Sequence, residues 1–225
     1  MDKRVGGRGG RTGGVAGEVW LREPRTYRAA PPLTRDRIVE AAIAILDADG
    51  PDGLTMRRLA ERLGAGPTTL YWHVRTKDDV LDLSLDEIFG EVPLPGPGEW
   101  RAGVRALLIG WREVMVRHPW APALLGRPML GPNVLTRAEF LQATLVRGGF
   151  EGVALAAATH GLANYVIGAA LTQAAATRPA VSADAHVRAN ADTYPTLAAT
   201  GHLDDQDWDS LFVHALDAFI EGLVR

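Results

Sequence analysis

The stretch "TMRRLAERLGAGPTTLYWHV", residues Thr55 to Val74, constrains the fold more than any other. Leu59, Ala60 and Leu63 recur at helical spacing until Gly64 ends the run. A short Gly-Ala-Gly break follows, and Pro67 then stands where the first turn of another helix tolerates it. That second helix is only about two turns long, with Leu70 and Val74 as its inward face. Tyr71, Trp72 and His73 are consecutive, so no single buried face can take all three rings. Helix, glycine-containing turn and short helix together read as a helix-turn-helix, whose second helix enters the major groove of DNA.

The flanking sequence supports that reading. Thr34 is a plausible N-cap for a preceding helix carrying Ile38, Ala41, Ala42, Ile45 and Leu46, which "DADG" stops. Thr76 and Asp79 have the spacing of a capping box, and Leu81, Leu85, Ile88 and Phe89 follow on one side of a fourth helix. "PLPGPG" then reads as a linker. Charge is distributed to match. Arg57, Arg58, Arg62, Arg75 and Lys77 stand against the single acid Glu61, whereas acids dominate from Asp78 to Glu91. With Leu70 and Val74 inward, Thr68, Thr69, Tyr71, Trp72 and His73 occupy the faces available to bases and phosphates.

Beyond the linker the chain is helical and amphipathic. Residues 152–177 carry no charge, and their length could span a bilayer. They are nevertheless mostly Ala and Gly, contain His160, Asn164 and Gln173, and lack a flanking basic cluster, so a bundle helix is expected and no membrane partner. Its Ala157, Gly161, Asn164 and Gly168 form a small-residue face open to close helix approach. Trp208, Leu211, Phe212, Ala215 and Phe219 lie in the apolar register of the last helix, so wide a stripe that it needs a partner. A homodimer interface of residues 152–176 and 208–224 from each subunit is the expectation.

The expected organisation is a Gly/Arg-rich arm over residues 1–32, a helix-turn-helix domain over 33–92, and a helical effector-binding and dimerisation domain over 93–225. The arm reads as a solvated tail, with an RGG-like phosphate contact as its alternative. It has no apolar run of the secretory type, and the chain has no cysteine, which suits a cytoplasmic location and excludes disulfides and thiolate metal sites. The six histidines show no metal-ligand pairing, and no serine lies in a nucleophile-elbow context, so neither a metal, a cofactor nor a catalytic site is expected. An effector cavity is expected from Trp111, Met115, His118, Arg127, Asn133, Phe140, His160, Asn164 and Tyr165, which can surround an apolar space with a few polar groups.

Residues 34–92 resemble the DNA-binding domain of the tetracycline-repressor (TetR) family of transcriptional regulators, and "TLYWHV" is especially close to the tetracycline repressors. "LLGRP" around Arg127, "VRGGF" and "YVIGAAL" resemble ligand-domain segments of the same branch. The resemblance implies an all-α homodimer that binds a palindromic operator as a repressor and is released by a small molecule. By position, Arg57 matches the base-reading arginine. Thr68, Tyr71 and Trp72 match positions that meet bases or phosphates, and Thr69, His73 and Lys77 match phosphate-holding ones. Met56 and Pro67 replace polar residues of the tetracycline repressors, so a different operator sequence is implied. Their metal-coordinating histidine is Ala123 here, so no metal site is carried over. The alternative from another class is an α-helical small-molecule carrier or enzyme without a DNA role.

Overall fold

The computed structural model describes residues 32–176, 183–201 and 207–223. The arm over residues 1–31 and the expected interface residue Val224 lie outside the described residues. Among the described residues every regular element is helical: α1 (Arg35–Gly53), α2 (Met56–Leu63), α3 (Pro67–Tyr71), α4 (Lys77–Gly90), α5 (Trp100–Arg117), α6 (Pro132–Arg147), α7 (Gly152–Ala176), α8 (Ala183–Ala189), α9 (Pro195–Thr200) and α10 (Trp208–Gly222). Residues from Leu33 onward form one compact unit, so the linker expected near residue 92 separates two helical groups that share a continuous core.

Side chains and glycines set the boundaries of the first helices. The Thr34 hydroxyl accepts from the Arg37 amide at 3.3 Å and starts α1. Gly50, at φ 67°, breaks the helix, and Pro51–Gly53 add one further turn beyond the expected stop. Thr55 caps α2 by accepting from the Arg58 amide at 3.1 Å. Gly64 ends α2 in the left-handed region at φ 61°, a conformation open to glycine because it has no Cβ. Pro67 occupies the first turn of α3, which is shorter than expected: helix ends at Tyr71, and Trp72 and His73 continue as a turn. The expected capping box is present, with Asp79 N donating to Thr76 Oγ1 at 3.0 Å and Thr76 N donating to Asp79 Oδ2 at 3.2 Å.

Two groups of side chains make the core. Ile38, Ala42, Ile45 and Leu46 of α1 pack with Leu59, Leu70, Val74 and the inner face of α4. Leu107, Leu108 and Met115 place α5 at the centre of the second group, against Leu141 and Leu145 of α6, Leu162 and Val166 of α7, and Leu216 of α10. Each fully buried leucine or isoleucine contributes roughly 1.5–3 kcal/mol by leaving water. α4 belongs to both groups, packing on α1 and on α6.

Polar side chains lock α4 in that position. Arg137, buried in α6, donates through Nε (3.0 Å) and Nη2 (2.6 Å) to the Val92 carbonyl and through Nη2 to the Gly90 carbonyl at 2.7 Å. A guanidinium is thus set against the negative end of α4. Asp86 accepts from the Val134 amide at 2.9 Å and from Asn133 Nδ2 at 3.2 Å. Arg127 pairs with Asp78 at 2.9 Å and with Asp82 at 3.5 Å.

Candidate nucleic-acid interface and effector region

α3 is fixed by one buried residue, Leu70, and by Val74 just beyond it. The remaining side chains of the segment are turned out. Trp72 is 84% exposed and Tyr71 50% exposed, with Thr68 and Thr69 exposed and His73 half-buried. A contiguous pair of rings left in water on a small basic unit marks a surface that meets something. Arg57 lies on the exposed side of α2, where Glu61 one turn on accepts from its Nε at 2.8 Å. That hydrogen bond, followed by the charge of Glu61, raises the Arg57 pKa and keeps the guanidinium charged. An exposed pair of this kind is cheap to exchange for another acceptor.

Lys77, expected to hold a phosphate, is engaged within the protein in this structure. Its ammonium donates to the Pro51 carbonyl at 2.6 Å, holding the last turn of α1 to the start of α4. Arg58 likewise binds Asp49 and the Gly53 carbonyl. The Asp79 carboxyl is held below the ordinary carboxylate value by the Arg75 amide and then by the Thr76 hydroxyl, which keeps the capping box ionised.

The nine expected effector residues do not converge on one cavity. Met115 is core. His118 is buried where α5 ends, its Nδ1 at 2.7 Å from Asp47 of α1, which also accepts from Trp120 Nε1 at 2.7 Å. Arg127 and Asn133 tie α4 to the segment before and at the start of α6. Phe140 packs beside Gly103 of α5. His160 and Asn164 are exposed on the outer side of α7, because the inner side of that helix is taken by Ala158, Leu162, Val166 and Ala170. Tyr165 stacks on Phe212 at 5.2 Å and donates its hydroxyl to the Phe212 carbonyl at 2.7 Å. Trp111 is half-buried edge-on to Phe89 at 6.1 Å, and its indole N–H is buried without an acceptor.

Among the described residues, two of the larger cavities are lined by elements of the second helical group. One, of about 220 Å³, lies between α4 and the segment that begins α6, with Leu83, Asp86, Met129, Leu130 and Val134 in its walls. The other, of about 280 Å³, lies among α5, α7 and α10. Among the described residues no cluster of His, Asp and Glu is arranged to hold a metal ion.

The expected dimer residues divide in two. Ala157, Gly168 and Ala215 are exposed, Leu211 is 48% exposed, and Trp208 is half-buried. Within the protomer, Gly161, Phe212 and Phe219 pack against their own chain. Phe212 is buried on Tyr165. A Cβ on Gly161 would stand 2.8 Å from Phe219 Cζ, so this glycine lets α10 approach α7 within the subunit.

Comparison with known proteins places these features in one family. Residues 38–83 match the bacterial regulatory proteins of the tetR family, and residues 92–225 match the tetracyclin repressor-like C-terminal domain. An HTH-type transcriptional regulator of Saccharopolyspora erythraea is 44% identical over 221 residues, covering 93% of this chain and 92% of the relative. The tetracycline repressor protein class D of Escherichia coli is 32% identical over 203 residues, 84% of this chain and 88% of the relative. The TetR family protein ActR of Streptomyces coelicolor, solved in complex with actinorhodin, superposes with a TM-score of 0.73 at 33% identity, covering 86% of this chain and 96% of that one. Its apo structure superposes at 0.74. With an all-α helix-turn-helix fold, exposed rings on the recognition helix and two matched domains, the chain belongs to the TetR family of bacterial transcriptional regulators, DNA-binding proteins rather than enzymes.

Proposed function

We propose that this regulator is a cytoplasmic homodimeric repressor that reads a palindromic operator with α3 and releases it when a small molecule enters the cavity beside α4. The observation that carries the reading is the position of α4. Its first turn follows the recognition helix directly, and Asp82, Leu83, Leu85 and Asp86 farther along it form one wall of the 220 Å³ cavity. A ligand seated there pushes α4 away from Met129 and Leu130. The recognition helix then moves with α4 as a rigid body, because Leu70 and Val74 share one core with α1 and α4 and Lys77 ties α4 to the end of α1. Binding energy that favours the displaced position of α4 is what weakens the fit of two recognition helices to two half-sites.

On DNA, Arg57, Thr68, Tyr71 and Trp72 face bases or the edges of the groove, and Thr69 and His73 face phosphates. One such helix reads only a few base pairs, so two half-sites require a dimer. The α7 side left uncovered by the subunit supports the pairing. Val153, Ala157, His160, Asn164, Gly168 and Leu171 form a continuous exposed stripe beside Leu211 and Ala215 of α10. The most apolar window of α7 has a mean hydropathy of 1.3, and only 22% of it is buried in the subunit. An apolar helix so little covered is completed by a second copy of itself, and the bilayer reading of its length gives way to a dimer seam.

Selection of bound duplexes from a random pool tests the reading. Inverted-repeat sites are expected, with Arg57→Ala and Tyr71→Ala losing preference for the selected site while sedimenting as folded dimers. Enrichment of sites without dyad symmetry, or undiminished selectivity in both variants, would contradict it.

A further inference from the structure

We propose that Glu61 is a positioning residue for Arg57, holding its guanidinium so that it reads one guanine, an assignment that rests on Arg57 meeting a base in the operator. Glu61 is the sole acid between Gly53 and Lys77, on the basic unit that approaches phosphates. A carboxylate there repels the DNA backbone and lowers affinity for every sequence. Helix stability does not account for it. Arg57 stands in the first turn of α2 and Glu61 in the last, the reverse of the order that the helix dipole favours. The pair is also open to water, with side-chain exposures of 88% and 63%, where an ion pair adds little to the fold.

What the carboxylate does follows from the atom it takes. Glu61 Oε1 accepts from Arg57 Nε at 2.8 Å, leaving Nη1 and Nη2 without a hydrogen-bond partner among the described residues. Those two groups make the end-on fork to guanine O6 and N7. The donors of a guanidinium lie in one plane, so holding Nε fixes the plane of that fork and closes the side-on fork that Nε would share. A long side chain held before contact also loses less rotamer freedom on binding. In the groove the pair is shielded from water, and the charge-assisted bond between its members strengthens. Arg58, the next residue, is not available for this task, because Asp49 and the Gly53 carbonyl hold its guanidinium on the fold. Glu61 therefore weakens binding to DNA in general while sharpening the part that depends on one base pair.

Affinities of the full-length protein and of Glu61→Ala, Glu61→Gln and Arg57→Ala test the assignment. The probes are the consensus duplex that the wild type selects from a random pool, copies with each guanine pair exchanged in turn, and a shuffled duplex. Arg57→Ala is expected to lose preference for one guanine in each half-site by at least about tenfold. Glu61→Ala is expected to lose at least about threefold of that preference, at the same position and no other, while binding the shuffled duplex about two- to threefold more tightly. Glu61→Gln, whose amide oxygen still accepts from Nε without the charge, is expected to restore the guanine preference and keep the tighter binding to the shuffled duplex. Wild-type preference in Glu61→Ala, loss spread over every position, or equal loss in Glu61→Gln and Glu61→Ala would each overturn the proposal. Retained preference at every position in Arg57→Ala would overturn it together with the operator reading, whereas loss in Arg57→Ala alone overturns only the role of Glu61.

Discussion

Replacing Arg137 by Met removes the strongest tie between α4 and the second helical group while keeping most of the buried stem. Five hydrogen bonds disappear: two to the Val92 carbonyl, one to the Gly90 carbonyl, and two longer ones, at 3.2 and 3.4 Å, to the carbonyl and side-chain oxygens of Asn133. Val92 is fully buried, so its carbonyl loses its donor with no access to water, at a cost of about 1–3 kcal/mol. Gly90 is exposed, and water replaces the bond there at little cost. The variant also loses a cation at the negative end of α4, worth roughly 0.3–1 kcal/mol or somewhat more when partly buried. Against these stands the recovered desolvation of a guanidinium held by carbonyl and amide oxygens, a partial offset. The net expectation is a loss of about 1–2 kcal/mol. Urea unfolding followed by circular dichroism reads it as a lower midpoint with an unchanged slope, since the surface exposed on unfolding is nearly the same. A loss below about 0.5 kcal/mol would refute the reasoning, because the buried carbonyl would then have another donor.

Other substitutions separate contacts inside the subunit from those between subunits. Gly168→Arg meets open space in the subunit and is expected to yield folded monomers in sedimentation, whereas Gly161→Arg collides with Phe219 and is expected to unfold the chain. Leu211→Glu on the exposed side of α10 should behave like the former and Phe212→Glu like the latter; dimers from either exposed-side variant would contradict the proposed seam. Asp47→Ala leaves the buried donors of His118 and Trp120 without their acceptor and should cost about 2–4 kcal/mol in urea unfolding. The lowered pKa of Asp79 adds stability that is complete above the unfolded carboxylate value and declines as pH falls through the folded value. Asp79→Asn should therefore flatten the fall in unfolding midpoint below about pH 4, and an unchanged slope would argue against the box.

The DNA-facing half was legible because its determinants are local. Thr34, Gly64, Pro67 and the Thr76–Asp79 pair each act within a few residues, and Leu70 and Val74 alone decide which side of α3 is inward. The effector region was not, since its members are chosen by packing between distant segments. His118 was drawn to Asp47, which lies 71 positions away, and His160 was left outside because α7 buries its other face. On α10, adjacent Leu211 and Phe212 are equally apolar, and only the approach of α7 at Gly161 decides which one is inside. Arg137 and Arg112 gave no signal in the sequence, for their partners are backbone carbonyls and residues of other helices.

The central claim is that α4 carries the state of the cavity to the recognition helices as a rigid body. The chain has no cysteine, so Glu40→Cys on the exposed side of α1 provides one labelling site in each subunit. The distance between two nitroxides in the dimer is then measured by pulsed electron resonance with operator, and with a compound that releases the operator. The account predicts two narrow distributions with different means, since the DNA-binding units move intact. The same mean in both states, or a distribution broadened by the compound as local unfolding would produce, would contradict it.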